Sequence, residues 1–213
     1  MNNKKPLFIS VDGIDLAGKS TAVKYLSHTL QGRGYSVKVV RGMGSGSLGT
    51  VVRQHLLEQK LNPTTIATAC GLALLDCYSC VQSYLDQGHT VLADRSIATY
   101  YAYNLKANKD PGAIEIFHSI LMNEEIVKAV PDLSIIVDVD LDVAKERLAN
   151  RTDEITHIDE RSVEYFKQVA KGYYEYFEYG SSHTRSRFKL VNNNDSMINF
   201  KQRIIDALEL IGE

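Results

Sequence analysis

Five short apolar runs punctuate the chain, Leu7 to Val11, Val37 to Val40, Thr90 to Ala93, Leu133 to Val139 and Phe188 to Val191. Between them, apolar positions recur at helical spacing over residues 19–31, 48–59, 65–87, 113–129, 142–150, 160–179 and 196–211. Strands that alternate with helices predict a parallel sheet, because each parallel strand is reached by a crossover, and helices then cover both faces. Breaks in the pattern fall at Gly32 and Gly34, Gly88, Pro131 and Gly180. With 213 residues and 44% hydrophobic content, the chain is expected to form one domain over residues 1–213. The one compositional oddity is Gly42-Met43-Gly44-Ser45-Gly46-Ser47, where a strand should hand over to a helix.

The first strand runs directly into Gly13-Ile14-Asp15-Leu16-Ala17-Gly18-Lys19-Ser20. A strand that ends in Gly-x-x-x-x-Gly-Lys-Ser and turns into a helix aims backbone N–H groups and the positive end of the helix dipole at one point, where polyphosphate charge can sit. Gly13, Asp15, Ala17, Gly18, Lys19, Ser20 and Thr21 are the candidate nucleotide-binding residues. Lys19 is expected to reach the β and γ phosphates and Ser20 to ligate Mg²⁺. An incidental Gly-rich turn is the alternative.

A net charge of −2 provides no general attraction to nucleic acid or to an anionic membrane, so any polyanion must be held by local Arg and Lys clusters. The basic start, Met1 to Pro6, leads into an apolar run too short for a signal-peptide core or a membrane span, and a cytoplasmic protein is expected. Cys70, Cys77 and Cys80 share a helical face at spacings of seven and three and are read as packing residues. A metal site built on Cys-x-x-Cys lacks a second pair, and the odd count argues against a disulfide framework.

Ligand crevices of open parallel sheets lie beyond the carboxyl ends of the strands. There the sequence places the Gly-rich cradle, Arg41 with its Gly-Ser loop, Asp94-Arg95-Ser96, and Asp138 and Asp140 leading to Arg147 and Arg151. Four charged or glycine-rich strand ends on one edge suit a site for two phosphorylated molecules.

Val11-Asp12-Gly13-Ile14-Asp15-Leu16-Ala17-Gly18-Lys19-Ser20-Thr21, Arg41, and Asp94-Arg95 followed by Ala102-Tyr103-Asn104 together resemble the thymidylate kinases of the P-loop nucleoside monophosphate kinase group. The likeness spans nearly the whole chain, including an Arg-studded segment at about residues 147–161 that looks like the family's lid, and a closing helix. It implies an α/β P-loop kinase three-layer sandwich, a five-stranded parallel sheet with helices on both faces, and a homodimer. It also implies transfer of the γ-phosphoryl group of ATP, with Mg²⁺, to the 5′-phosphate of dTMP. By position Arg95 resembles the arginine that grips the acceptor phosphate, with Arg41 and Arg53 as helpers, and Asp15 the acidic residue at the acceptor sugar. Asp94 resembles the residue that orients water around Mg²⁺ or meets the acceptor, while Tyr103 and Asn104 fall in the acceptor pocket. Leu16 stands where one subgroup carries an arginine, so the lid is expected to supply the catalytic guanidinium from Arg147 or Arg151 in the manner of an arginine finger. Surface pairing of these two with Glu146, Asp153 or Glu154 is the alternative.

Departures from the pattern cluster on the acceptor side. Arg41-Gly42-Met43-Gly44-Ser45 replaces the family's Arg-Glu-Pro-Gly-Gly, Ala73 stands where an arginine usually contacts thymine, and Asn104 replaces a base-reading glutamine. Ser96 stands where an aromatic residue or His is common, and Thr99 where a serine is common. The expected acceptor is dTMP or a 5-substituted dUMP. One alternative is a hydroxyl acceptor, a deoxynucleoside or 5-hydroxymethyluracil carried in DNA, with Asp94 or another carboxylate taking the proton. A non-catalytic nucleotide-binding protein is the other. Tyr100, Tyr101 and Tyr103 are either a stacking surface or helix packing, and the tyrosines from Tyr173 to Tyr179 either packing or a dimer contact.

Overall fold

Strands form where the apolar runs predict them, in a computed structural model that describes residues 4–58, 61–123, 126–150 and 162–213. They are β1 (Phe8–Asp12), β2 (Val37–Arg41), β3 (Thr90–Asp94), β4 (Leu133–Asp138) and β5 (Arg187–Asn192), all parallel in the order β2-β3-β1-β4-β5. Central β1 is buried along its whole length, as a strand covered on both faces must be. Register sets Val11 opposite Asp94 on one side and Ile135 on the other, so the carboxyl ends of the three middle strands finish at one edge.

The helices are α1 (Lys19–Gly32), α2 (Ser47–Glu58), α3 (Pro63–Asp86), α4 (Ile97–Tyr100), α5 (Pro111–Ile116), α6 (Leu141–Ala149), α7 (Val163–His183) and α8 (Met197–Leu208). α4 continues as a π-helical stretch Tyr101–Ala107, and α5 as another, Phe117–Leu121. Three expectations need correction: first, α7 runs through Gly180, read as a break, to His183. The helix starting at Ile97 has no counterpart among the predicted segments, although Ser96 caps it by accepting from the Ala98 N–H. The helix expected over residues 113–129 ends at Leu121. Beyond it the Asn123 carbonyl closes a separate turn with the Ile126 and Val127 N–H groups, and Val127 and Ala129 are buried there as core-facing loop residues.

Phe8, Ile9, Leu26, Leu30, Leu92, Leu133, Ile135, Phe200 and Ile204 fill the space between sheet and helices, each such side chain contributing about 1.5–3 kcal/mol when fully buried. By length and composition α3 could span a bilayer, yet it lays Ala67, Cys70, Ala73, Leu74, Cys77 and Val81 into this core. Burial pushes the Cys70 and Cys77 thiols up to about 12, as packing residues, while Cys80 is half-buried. Tyr100, Tyr101, Tyr173 and Tyr176 are likewise buried, and Tyr101 and Tyr176 ring Phe117, so these tyrosines pack the fold.

Candidate active site

The loop between β1 and α1 is wound tightly. Gly13 has φ +143° and Gly18 φ +101°, and a Cβ on Gly18 would lie 2.4 Å from the Asn193 amide nitrogen. Leu16 adopts φ +65° without being glycine. Ala17 is fully buried, so only its backbone can face a ligand, while Ser20 and Thr21 are exposed in the first turn of α1. Lys19 is 7% exposed, and its Nζ donates to the Ile14 carbonyl at 2.6 Å. Burial, then repulsion by Arg95, lowers its pKa from 10.5 to about 8 against the attraction of Asp15, Asp94 and Asp12.

At the end of β3, the Asp94 carboxylate accepts a 3.0 Å hydrogen bond from the Ser20 hydroxyl. This pair supplies two hard oxygens, the donor type that Mg²⁺ takes alongside water and phosphate oxygens, and so it fits the ion. Among the described residues no three His, Cys, Asp or Glu side chains converge on a self-contained metal site.

Arg95 follows with φ +79°, in a turn pinned from below by Asp12. Asp12 is 1% exposed and accepts from the Ser96 N–H and hydroxyl at 2.8 and 2.6 Å and from the Thr99 hydroxyl at 2.7 Å. Thr99 in turn meets the Tyr173 hydroxyl at 2.8 Å, tying the turn to α7. Ser96 and Thr99 thus serve the anchor, and Asp12, quoted in the motif but given no role in the sequence analysis, holds the turn that carries Arg95. The Arg95 guanidinium pairs with Asp15, whose other oxygen accepts from Tyr103 at 2.9 Å and whose first oxygen lies 4.0 Å from Lys19 Nζ. Lys19 and Arg95 therefore meet at one carboxylate.

Arg41 and Arg53, expected on the acceptor side, lie close to each other. Their Cδ atoms flank Gly44, each 3.2 Å from where a Cβ would stand. Burial, then the charges of Arg41 and Arg95, depress the Arg53 pKa. Asp76, also absent from the sequence reading, accepts from the Leu48 and Gly49 N–H groups and caps α2, which carries Arg53. Asn104 is 3% exposed and lies beside the Cys70 thiol, and Ala73 is fully buried.

Arg147 sits against the cradle instead of on the surface. Its guanidinium donates to the Leu16 carbonyl at 3.0 Å and to the Asn193 carbonyl at 2.7 Å. The Asn193 side-chain amide donates to the Ala17 carbonyl at 2.7 Å. Asn193 was not a sequence candidate, although three consecutive asparagines at the carboxyl end of β5 were a signal. Arg151 and most of the expected lid lie outside the described residues.

Comparison with known proteins follows the same lines. A family model described as thymidylate kinase matches residues 11–204. A thymidylate kinase of Nitrosomonas europaea is 31% identical over 208 residues, 95% of this chain and 92% of that one. One from a Thermoanaerobacter species is 27% identical over 210 residues, 96% of this chain and 98% of that one. A probable thymidylate kinase of Archaeoglobus fulgidus is 31% identical over 146 residues, 68% of this chain and 70% of that one.

Proposed function

Because the chain belongs to the thymidylate kinase family of nucleotide kinases, we propose that it moves the γ-phosphoryl group of ATP to the 5′-phosphate of a deoxynucleoside monophosphate, dTMP or a 5-substituted dUMP. The observation that carries this is the guanidinium trio of Arg41, Arg53 and Arg95, set against the carboxylates of Asp15 and Asp94. Three cations drawn together, two of them half-buried, repel one another until an anion arrives, and a monophosphate dianion is the acceptor that offsets them. A hydroxyl acceptor brings no such charge. It also needs a carboxylate to take its proton, and Asp94 is already engaged by Ser20.

In this assignment Lys19 and the cradle N–H groups not bonded within the loop, that of Gly18 among them, hold the donor phosphates, and Ser20 and Asp94 are the ligands for Mg²⁺. When bound, the ion neutralises charge on the donor phosphates. Asp15 faces the acceptor sugar while keeping Arg95 and Lys19 at one point. The acceptor oxygen is already ionised, so no general base is required, and catalysis reduces to positioning and charge stabilisation. Arg151 is the candidate to bring a further guanidinium over the phosphates. Residues 1–213 act in this proposal as one cytoplasmic domain that pairs with a second copy, which sedimentation velocity tests.

An acceptor screen scored by ADP release and product mass tests the chemistry. It covers the deoxynucleoside monophosphates, nucleosides and 5-hydroxymethyluracil duplex DNA. Turnover with dTMP or a 5-substituted dUMP is expected. Turnover confined to nucleosides or to modified DNA would overturn the proposal.

A further inference from the structure

Two left-handed residues, Leu16 and Gly18, bracket Ala17 in the phosphate cradle. Backbone of this kind is held only where its surroundings fix it. A peptide unit is planar, so whatever holds the carbonyl of one residue also aims the N–H of the next in the opposite direction. The Ala17 carbonyl is held by the Asn193 side chain at 2.7 Å, which fixes the direction of the Gly18 N–H. Among the described residues that N–H has no hydrogen-bond partner, and it stands at the N-terminus of α1. The preceding peptide is held similarly, its Leu16 carbonyl by Arg147 and its Ala17 N–H by the Ile14 carbonyl at 3.3 Å.

The two braces are joined. Arg147 donates at once to the Leu16 and Asn193 carbonyls, and Asn193 itself is 4% exposed, with its N–H on the Asp138 carbonyl at 2.8 Å. Next in sequence, the Asn194 side chain accepts from the Asp140 N–H at 2.7 Å, where α6 begins. The turn after β5 is therefore bonded both to the cradle and to the start of the helix that carries Arg147.

Resting on the donor assignment above, we propose that Asn193 is a positioning residue for phosphoryl transfer, bracing the cradle together with Arg147 so that the Gly18 N–H faces the donor phosphates. Arg147 then acts through the cradle backbone and not as an arginine finger.

The test is calorimetric binding of ADP to the wild-type protein, Asn193→Ala, Arg147→Ala and the double variant, with steady-state kinetics alongside. One lost charge-independent hydrogen bond corresponds to about tenfold in affinity. Asn193→Ala should bind ADP about tenfold more weakly and raise the KM for ATP by a similar factor, while the KM for the acceptor stays within about twofold. Because both residues hold one structure, the double variant should lose little more than the worse single variant. Unchanged ADP affinity in Asn193→Ala at a native unfolding midpoint overturns the proposal, and so does full multiplication of the two losses. If Asn193→Ala does not fold, Arg147→Lys takes its place under the same criteria, since one ammonium cannot span both carbonyls. A wild-type protein that binds no ADP would refute the donor assignment itself.

Discussion

Replacing Asp15 with Asn probes the charge balance on which the site depends. Burial alone would raise the Asp15 carboxyl, but the Arg95 guanidinium, then Lys19 and the Tyr103 hydroxyl, carry it from 3.8 down to about 2. A carboxylate depressed on folding contributes stability that is complete above its unfolded pKa and disappears as the pH falls through the folded value. The gap from 3.8 to about 2 corresponds to about 2 kcal/mol, for a side chain 27% exposed beside an arginine 18% exposed. Asn keeps an acceptor for Tyr103 but removes the charge facing Arg95. Asp15→Asn should therefore unfold with about 2 kcal/mol less free energy at neutral pH, measured by urea denaturation followed by circular dichroism. The deficit should shrink below about pH 4 and close as the wild-type carboxyl protonates towards about pH 2. Inorganic phosphate should stabilise the variant more than the wild type, since its guanidinium trio has lost its counter-charge. A stability gap that stays constant between about pH 7 and about pH 3 would refute the reasoning. So would a variant more stable than wild type at neutral pH, because desolvation of the pair would then outweigh its attraction.

Lys19, lowered to about 8, should lose its proton in the free enzyme as the pH rises through that value, and ADP affinity should fall between about pH 7 and about pH 9; titration calorimetry should show this decline in the wild type and a flat profile in Lys19→Met. Arg53→Met should raise the KM for the acceptor about tenfold or more and leave that for ATP unchanged, because its charge acts together with those of Arg41 and Arg95; initial rates with each substrate varied in turn decide it, and equal effects on both would remove Arg53 from the acceptor side. Of the three cysteines, Cys80 alone should react with a disulfide reagent in the native protein, since burial holds Cys70 and Cys77 at about 12, and all three should react in denaturant.

What the sequence discloses, and what it conceals, follows from which atoms make the contacts. The strands were legible because runs such as Phe8 to Val11 and Leu133 to Val137 are buried, and burial writes itself in apolar letters. The cradle was legible because its geometry demands Gly at positions 13 and 18 and a cation at 19. The expectation for residues 113–129 failed because Val127 and Ala129 are apolar for the core's sake without being helical, and a count of apolar positions does not distinguish the two. Arg147 was nominated for the phosphates by its spacing from Arg151; its bonds to the carbonyls of Leu16, Ala17 and Asn193 are ones that no side-chain letter records. Asp12, Asp76 and Asn193 went unassigned for that reason too: much of what they hold is main chain, the Ser96 N–H, the Leu48 and Gly49 N–H groups and the Ala17 carbonyl. Residues proposed to meet ligand can be nominated from their chemistry. Residues that hold the backbone in place for them became visible only once the carboxyl ends of the strands were assembled at one edge, and any substitution that spares the first group while removing the second should weaken nucleotide binding without touching a predicted ligand.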